Sequence, residues 1–258
     1  MNTLPPVTLS AVQGIWSRSY LTAGGYRDSS THVTWMQAGE LHIDLRLPSE
    51  FFRLPAAALA EQEPSSLLLI ADVVAFAGKT DIVNSLCTWT RQINYQGRPP
   101  GLDIGELSWS GMTLIERGVH EQYEEGWERQ ETELPQARCF ADEQGQLLFV
   151  CSVSDRFAMA RAHPANMQEL KPLADRVSDA LAVDDETALM ALFDQEFCFG
   201  QFENGYARIL HSSNPSRVGN RVFRTHGPLA EMNTIDIVQN DFLGRSAVHR
   251  YTTNTGMV

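Results

Sequence analysis

Nothing in these 258 residues reads as a membrane span, a disulfide framework or a nucleic-acid footprint. The longest apolar run, near Leu67 to Ala77, is broken by Asp72 and falls well short of the length a bilayer requires. The stretch from Met1 to Gly14 lacks a basic segment followed by an apolar one, so no signal peptide is expected. The four cysteines (87, 139, 151 and 198) lie far apart with no C-x-x-C pair. They read as buried free thiols of a reducing cytoplasm, although Cys139 and Cys151 could face each other across a hairpin. Basic residues are outnumbered, 20 Lys+Arg against 32 Asp+Glu, for a net charge of -12. That balance argues against nucleic acid and against anionic membrane surfaces as partners. The seven histidines show no H-E-x-x-H and no Cys/His spacing that suits a metal, and no bound cofactor is expected. G-x-S-x-G and a glycine-rich phosphate loop are also missing.

What is present is a recurring pair. Trp16-Ser17-Arg18, Trp89-Thr90-Arg91 and Trp127-Glu128-Arg129 each set a tryptophan two residues before an arginine, and Tyr206-Ala207-Arg208 is a weaker copy. On a strand, residues i and i+2 share a face, so each copy puts a ring beside a guanidinium. The surrounding pattern is strand-rich. Glu40 to Leu47 alternates strictly, Leu41, Ile43, Leu45 and Leu47 against His42, Asp44 and Arg46. Thr31 to Gln37, Leu86 to Tyr95, Gly105 to Ser110, Gly111 to Arg117 and Gln122 to Thr132 continue it, punctuated at Gly97, Pro99 and Pro100. Helical signal is confined to short turns in Pro55 to Gln62 and to one or two helices in Asn166 to Phe193, broken near Val183-Asp184-Asp185.

The halves share landmarks in one order. Trp16-x-Arg18 corresponds to Trp127-x-Arg129, the Gly39-Glu40-Leu41 hairpin to Gly145-Gln146-Leu147, and Arg46 before Pro48 to Arg161 before Pro164. Phe76-Ala77-Gly78 then corresponds to Phe199-Gly200, Trp89-x-Arg91 to Tyr206-x-Arg208, and Glu116 to Glu231. This reads as an internal duplication, with units 10–120 and 121–258. The expected fold is mainly β: two antiparallel barrels with a helical insertion in the second half.

Gly14-Ile15-Trp16 has the G-x-W form of the lipocalins and resembles the wider calycin group. The resemblance implies that Trp16 closes one barrel end under an arginine from the last strand, Arg129 or Arg91. The run from Thr34-Trp35-Met36-Gln37 through Asp44 to Pro48, Phe76-Ala77-Gly78, Cys87 to Arg91 and Asp103 to Glu106 is also similar to a family of uncharacterised proteobacterial proteins. The fungal HRI proteins, with two calycin-like barrels, are distantly similar. These likenesses imply a fold and no particular activity, and the second half lacks a proper G-x-W.

Candidate ligand contacts follow from strand position. Trp35, Gln37, Asp44, Arg46, Trp89, Arg91, Glu116 and Tyr123 are large or polar residues on strands whose alternation leaves one face unaccounted for. The site is expected in the first barrel. A cavity-facing arginine must be paired, so the ligand should carry a carboxylate or carbonyl unless Asp44 or Glu116 neutralises it. Tyr123, Glu125, Trp127 and Arg129 share a strand face, where Glu125 is either an acid/base or the partner of Arg18, Arg91 or Arg129. Glu121, Glu124, Glu128, Glu131 and Glu133 are expected on a solvated face. The leading expectation is a cytoplasmic barrel protein that binds a small, partly apolar molecule. Its rivals are a cofactor-free isomerase, cyclase or lyase using a carboxylate as acid/base, and a protein-interaction scaffold with filled barrels. No catalytic residue and no oligomeric state is indicated.

Overall fold

The computed structural model describes residues 6–97, 101–164 and 171–254. The first sheet holds β1 (Gly14–Ala23), β2 (Tyr26–Asp28), β3 (His32–Ala38), β4 (Leu41–Leu47), β5 (Val74–Val83), β6 (Leu86–Asn94), β7 (Asp103–Ser110), β8 (Thr113–Gly118) and β9 (Tyr123–Glu131). All its pairings are antiparallel, and β9 returns to pair with β1, which closes the barrel. The second sheet holds β10 (Gln136–Ala141), β11 (Leu147–Val153), β12 (Arg156–Arg161), β13 (Glu196–Glu203), β14 (Tyr206–Ser212), β15 (Arg221–Arg224), β16 (Thr234–Asn240) and β17 (Ser246–Thr253). Its order is β15-β14-β13-β12-β11-β10-β17-β16. Only the β15–β16 seam lacks ladder pairing, so this barrel is nearly closed. The expected pair of antiparallel barrels is therefore present.

Helices leave both barrels at the same place in the meander. α1 (Pro64–Ala71) lies between β4 and β5; α2 (Leu173–Ala182) and α3 (Glu186–Leu192) lie between β12 and β13. Pro64 starts α1 at a position that needs no backbone donor, and Leu67, Ile70 and Ala71 form its buried stripe. Periodicity missed α1 because Leu67 to Ile70 is a continuous apolar run. Pro55 to Gln62 carries only the short turn Leu59–Glu61. The break between α2 and α3 falls where expected, with Asp185 capping α3 by accepting from the Ala188 amide at 2.9 Å. Asn166 to Leu170, and the expected punctuation at Pro99 and Pro100, lie outside the described residues.

Strand alternation sends one set of side chains into each lumen and the other set to the seam between barrels. Leu41, Ile43, Leu45 and Leu47 pack with Cys139, Phe149, Cys151, Ala158, Ala160, Phe197 and the helices in one shared core. The four thiols are free and buried. Cys139 pairs across from Phe149 and Cys151 from Ala137, so the two thiols are not ladder partners.

Two expectations need correction. Trp127 does not occupy the strand equivalent to that of Trp16: it lies on β9, which pairs with β1, with Trp127 opposite Arg18. The first sheet consequently extends through Glu131, past the break expected at 120. The Gly39 hairpin joins β3 to β4, whereas Gly145 lies in the link from β10 to β11, one strand out of step.

Gly14 explains the G-x-W form. Its φ is +118°, and a side chain there would strike the backbone carbonyl of Glu131 where β1 meets β9. Trp16 is fully buried, donates from Nε1 to the Val12 carbonyl at 2.8 Å, and lies under the Arg129 guanidinium, 4.5 Å from the ring centroid. Arg129 also donates to the Ala11 carbonyl. One end of the first barrel is thereby plugged.

Candidate functional site

Above the plug the first barrel contains a cavity of about 260 Å³. It opens where β1 ends and β9 begins, at Leu21, Ala23, Glu121 and Tyr123. Trp35 stacks on Trp16 at 5.8 Å and meets Trp127 and Trp89 edge-on at 5.5 and 6.2 Å, so tryptophans form the floor. Phe76 forms a wall, covered by the Arg91 guanidinium at 3.8 Å from its centroid.

Seven of the eight expected contacts line this cavity: Trp35, Asp44, Arg46, Trp89, Arg91, Glu116 and Tyr123. Gln37 does not. It sits at the plugged end, where its Oε1 accepts from Thr80 Oγ1 at 2.9 Å and its Nε2 donates to the Gly39 carbonyl at 3.0 Å. His42, also inward, shares Thr80 through Nδ1 at 3.0 Å, and burial lowers its pKa to about 3. Phe76, Asp103, Glu121 and Glu125 complete the lining. Phe76 and Asp103 sit within the segments that carried the family resemblance. Glu121 is exposed, as expected, and stands at the rim of the cavity.

The charges form a mostly closed network. Arg46 donates to Asp44 at 2.9 Å and to Glu125 at 3.0 Å. Arg18 donates to Glu125 at 2.7 Å and to Asp28 at 2.6 Å. Arg91 pairs with Asp103 at 2.6 Å. The premise of an oxyanion ligand was an arginine left for it, and both cavity arginines already hold carboxylates.

Glu116 is different. It is 4% exposed, forms no ion pair, and accepts from Tyr123 Oη at 2.7 Å and Trp127 Nε1 at 3.0 Å. Glu125 is its direct cross-strand partner. Burial, and then the facing Glu125 charge, raise the Glu116 pKa to about 8. Glu125 keeps two arginines on Oε1, while its buried Oε2 has no hydrogen-bond partner among the described residues. Two facing carboxyl groups thus have opposed environments, one held by a phenol and an indole with its pKa raised, the other paired with two guanidiniums. Gly105 makes room for this: an added Cβ would sit 2.9 Å from Glu116 Cγ and 3.2 Å from Trp89.

A wider groove of about 740 Å³ runs along the rim of the second barrel and α3. Several of its polar side chains are satisfied internally. Arg245 pairs with Asp241, and Gln239 donates to Tyr251 Oη, which donates to Gln146. The second lumen itself is filled by Phe140, Leu148, Val150, Phe157, Met159, Cys198, Ile209 and Val222. His211 and Ser212 end β14, and Ser212 Oγ donates to Glu196 at 3.2 Å. Among the described residues no three His, Cys, Asp or Glu converge as metal ligands, and no helix is long and apolar enough to cross a membrane.

Fold and cavity define the class: a pair of antiparallel β-barrels, one with a polar pocket in its lumen. The structure is similar to the crystal structure of the uncharacterized protein YLR301w from Saccharomyces cerevisiae, with a TM-score of 0.53 and 11% identity over 93% of this chain and 96% of that one. At that identity the likeness shows the fold alone. Comparison with protein-family models and with curated proteins finds no match.

Proposed function

We propose that the chain is a small-molecule-binding protein of calycin-like architecture, with its site in the lumen of the first barrel. The observation that carries this reading is the cavity of about 260 Å³ whose tryptophan floor and charged walls meet in one closed barrel. Apolar surface with a few fixed polar groups is what a ligand pocket needs, and the volume suits a molecule smaller than a typical drug. The free, buried thiols support a cytoplasmic setting. A thermal-shift screen of a few hundred small polar aromatics tests the reading. Hits lost in Trp127→Ala, itself shown to be folded by circular dichroism, are the expected result; no hit at all sinks the proposal.

A second reading is favoured by one observation. Glu116 lies in the cavity, forms no ion pair among the described residues, and has its pKa raised to about 8 by burial and the facing Glu125. Such a group is suited to general-acid work in a cofactor-free isomerase, cyclase or lyase, with Glu125 as the ionised counterpart. Turnover of a ligand from the screen, abolished in Glu116→Gln with binding retained, would establish it. The scaffold reading finds support only in the second barrel, which side chains fill.

A further inference from the structure

The polar lining of the first lumen is unbalanced. Arg18, Arg46 and Arg91 face Asp28, Asp44, Asp103, Glu116 and Glu125. Three guanidiniums thus face five carboxyl groups. Glu125 is 1% exposed, lines the cavity, and has a carboxylate oxygen with no donor among the described residues. A buried anionic oxygen without a donor is costly unless a partner arrives from outside. The walls within reach are the faces of Trp35, Trp89 and Trp127, which attract cations. Among the described residues, both arginines that line the cavity already hold carboxylates.

Resting on the ligand-binding reading of this site, we propose that the occupant is a small organic ammonium: a primary amine on a flat apolar body, its N–H groups directed to Glu125 Oε2 and the Glu116 carboxyl. The body lies over the tryptophan floor, and the positive charge cancels the surplus of the lumen. Glu116 acts as the adjustable member. It is neutral while the cavity is empty and can ionise when a cation is beside it, because the cation reverses the field that the facing Glu125 imposes.

Isothermal titration of the full chain at pH 7 with three matched probes tests this: 2-phenylethylamine, 3-phenylpropionate and 2-phenylethanol. The amine should bind roughly tenfold or more tighter than the carboxylate, with the alcohol between them. In Glu125→Gln, checked for native circular dichroism, amine affinity should fall about tenfold while the alcohol is little changed. The wild-type comparison stands even where that variant fails to fold. Carboxylate binding equal to or tighter than amine binding overturns the ammonium inference and leaves the pocket reading intact. Binding of the alcohol alone does the same. If none of the three binds, the inference falls; the thermal-shift screen then decides the pocket reading separately.

Discussion

The two barrels follow one plan and fill it differently. In the second barrel three strands, and in the first three strands plus the short β2, lead to a helical excursion, and the next strand carries a glycine beside a register shift: Gly78 in β5 and Gly200 in β13. Aligned there, the ladders put His42 with Phe157, Asp44 with Met159, Trp35 with Val150 and Arg91 with Ile209. Position by position, polar or ring-bearing groups of the first lumen become plain apolar ones in the second. All five tryptophans belong to the first barrel. The middle of the second lumen is a packed apolar core, and its buried charges, Glu196 and Arg217, pair with each other at 3.0 Å. The first accepts buried charges and a void, features that cost stability and that a structural role does not require. The contrast is the ground on which the proposed site lies in the first barrel.

The sharpest way to break the comparison is to exchange fillings. Met159→Asp puts an unpaired carboxylate into an apolar lumen and should cost more than about 4 kcal/mol, enough to prevent folding at 37 °C. Asp44→Met, the reverse exchange, leaves Arg46 with Glu125 and should cost only about 1–3 kcal/mol in urea unfolding. Equal costs would mean the two lumens are not chemically distinct. Trp16→Ala should lower stability by about 3–5 kcal/mol, read as a large drop in Tm, because it removes the buried plug under Arg129. Arg46→Ala strands Asp44 and half of the pairing of Glu125; about 3 kcal/mol is expected, the low side of the range for a broken buried pair, since Arg46 is partly exposed.

The pH dependence sharpens the contrast further. Glu116 faces Glu125 and Tyr123 from β9, Asp44 and Arg46 from β4, and Asp103 from β7. Its folded pKa is raised to about 8, so between the ordinary carboxylate range and pH 8 the folded chain holds a proton that the unfolded chain releases. Stability from this group is therefore present at low pH and declines as pH rises through that window. Tm measured from pH 5 to 8.5 should fall more steeply in wild type than in Glu116→Gln; parallel curves would contradict the assignment. The smallest effect should come from Arg208→Ala, which loses exposed contacts to Glu203 and the Gly219 carbonyl and should change stability by under about 1 kcal/mol.

Strand positions were legible because alternation is strict wherever one face meets the inter-barrel core, as at Leu41 to Leu47. The same alternation brought seven site residues to the lumen side, and Gln37 was carried along because parity cannot tell one end of a barrel from the other. The shared plan of the two halves was legible in outline, and four of its landmarks were misplaced: Trp127, Gly145, Arg208 and Glu231, the last in an exposed turn before β16 while Glu116 is buried in β8. Arg208 lies opposite Gln201, one step after Gly200, while Arg91 lies opposite Gly78 itself. A one-residue slip reverses the face, so Arg208 points outward and Ile209 occupies the place of Arg91. Trp127 was paired with Trp16 on its motif, since a closing strand and an opening strand look alike in sequence. Glu125 and Asp103 could not be ranked beforehand, because their roles depend on arginines from distant strands.

The most direct test of the contrast is a crystal structure of the full chain soaked with 2-phenylethylamine. The account predicts density for the amine in the first barrel only, with its ring over Trp35 and Trp127 and its nitrogen within hydrogen-bond distance of Glu125, and an unaltered second lumen. A first lumen found closed by its own side chains, or the amine seated in the second barrel, would contradict it.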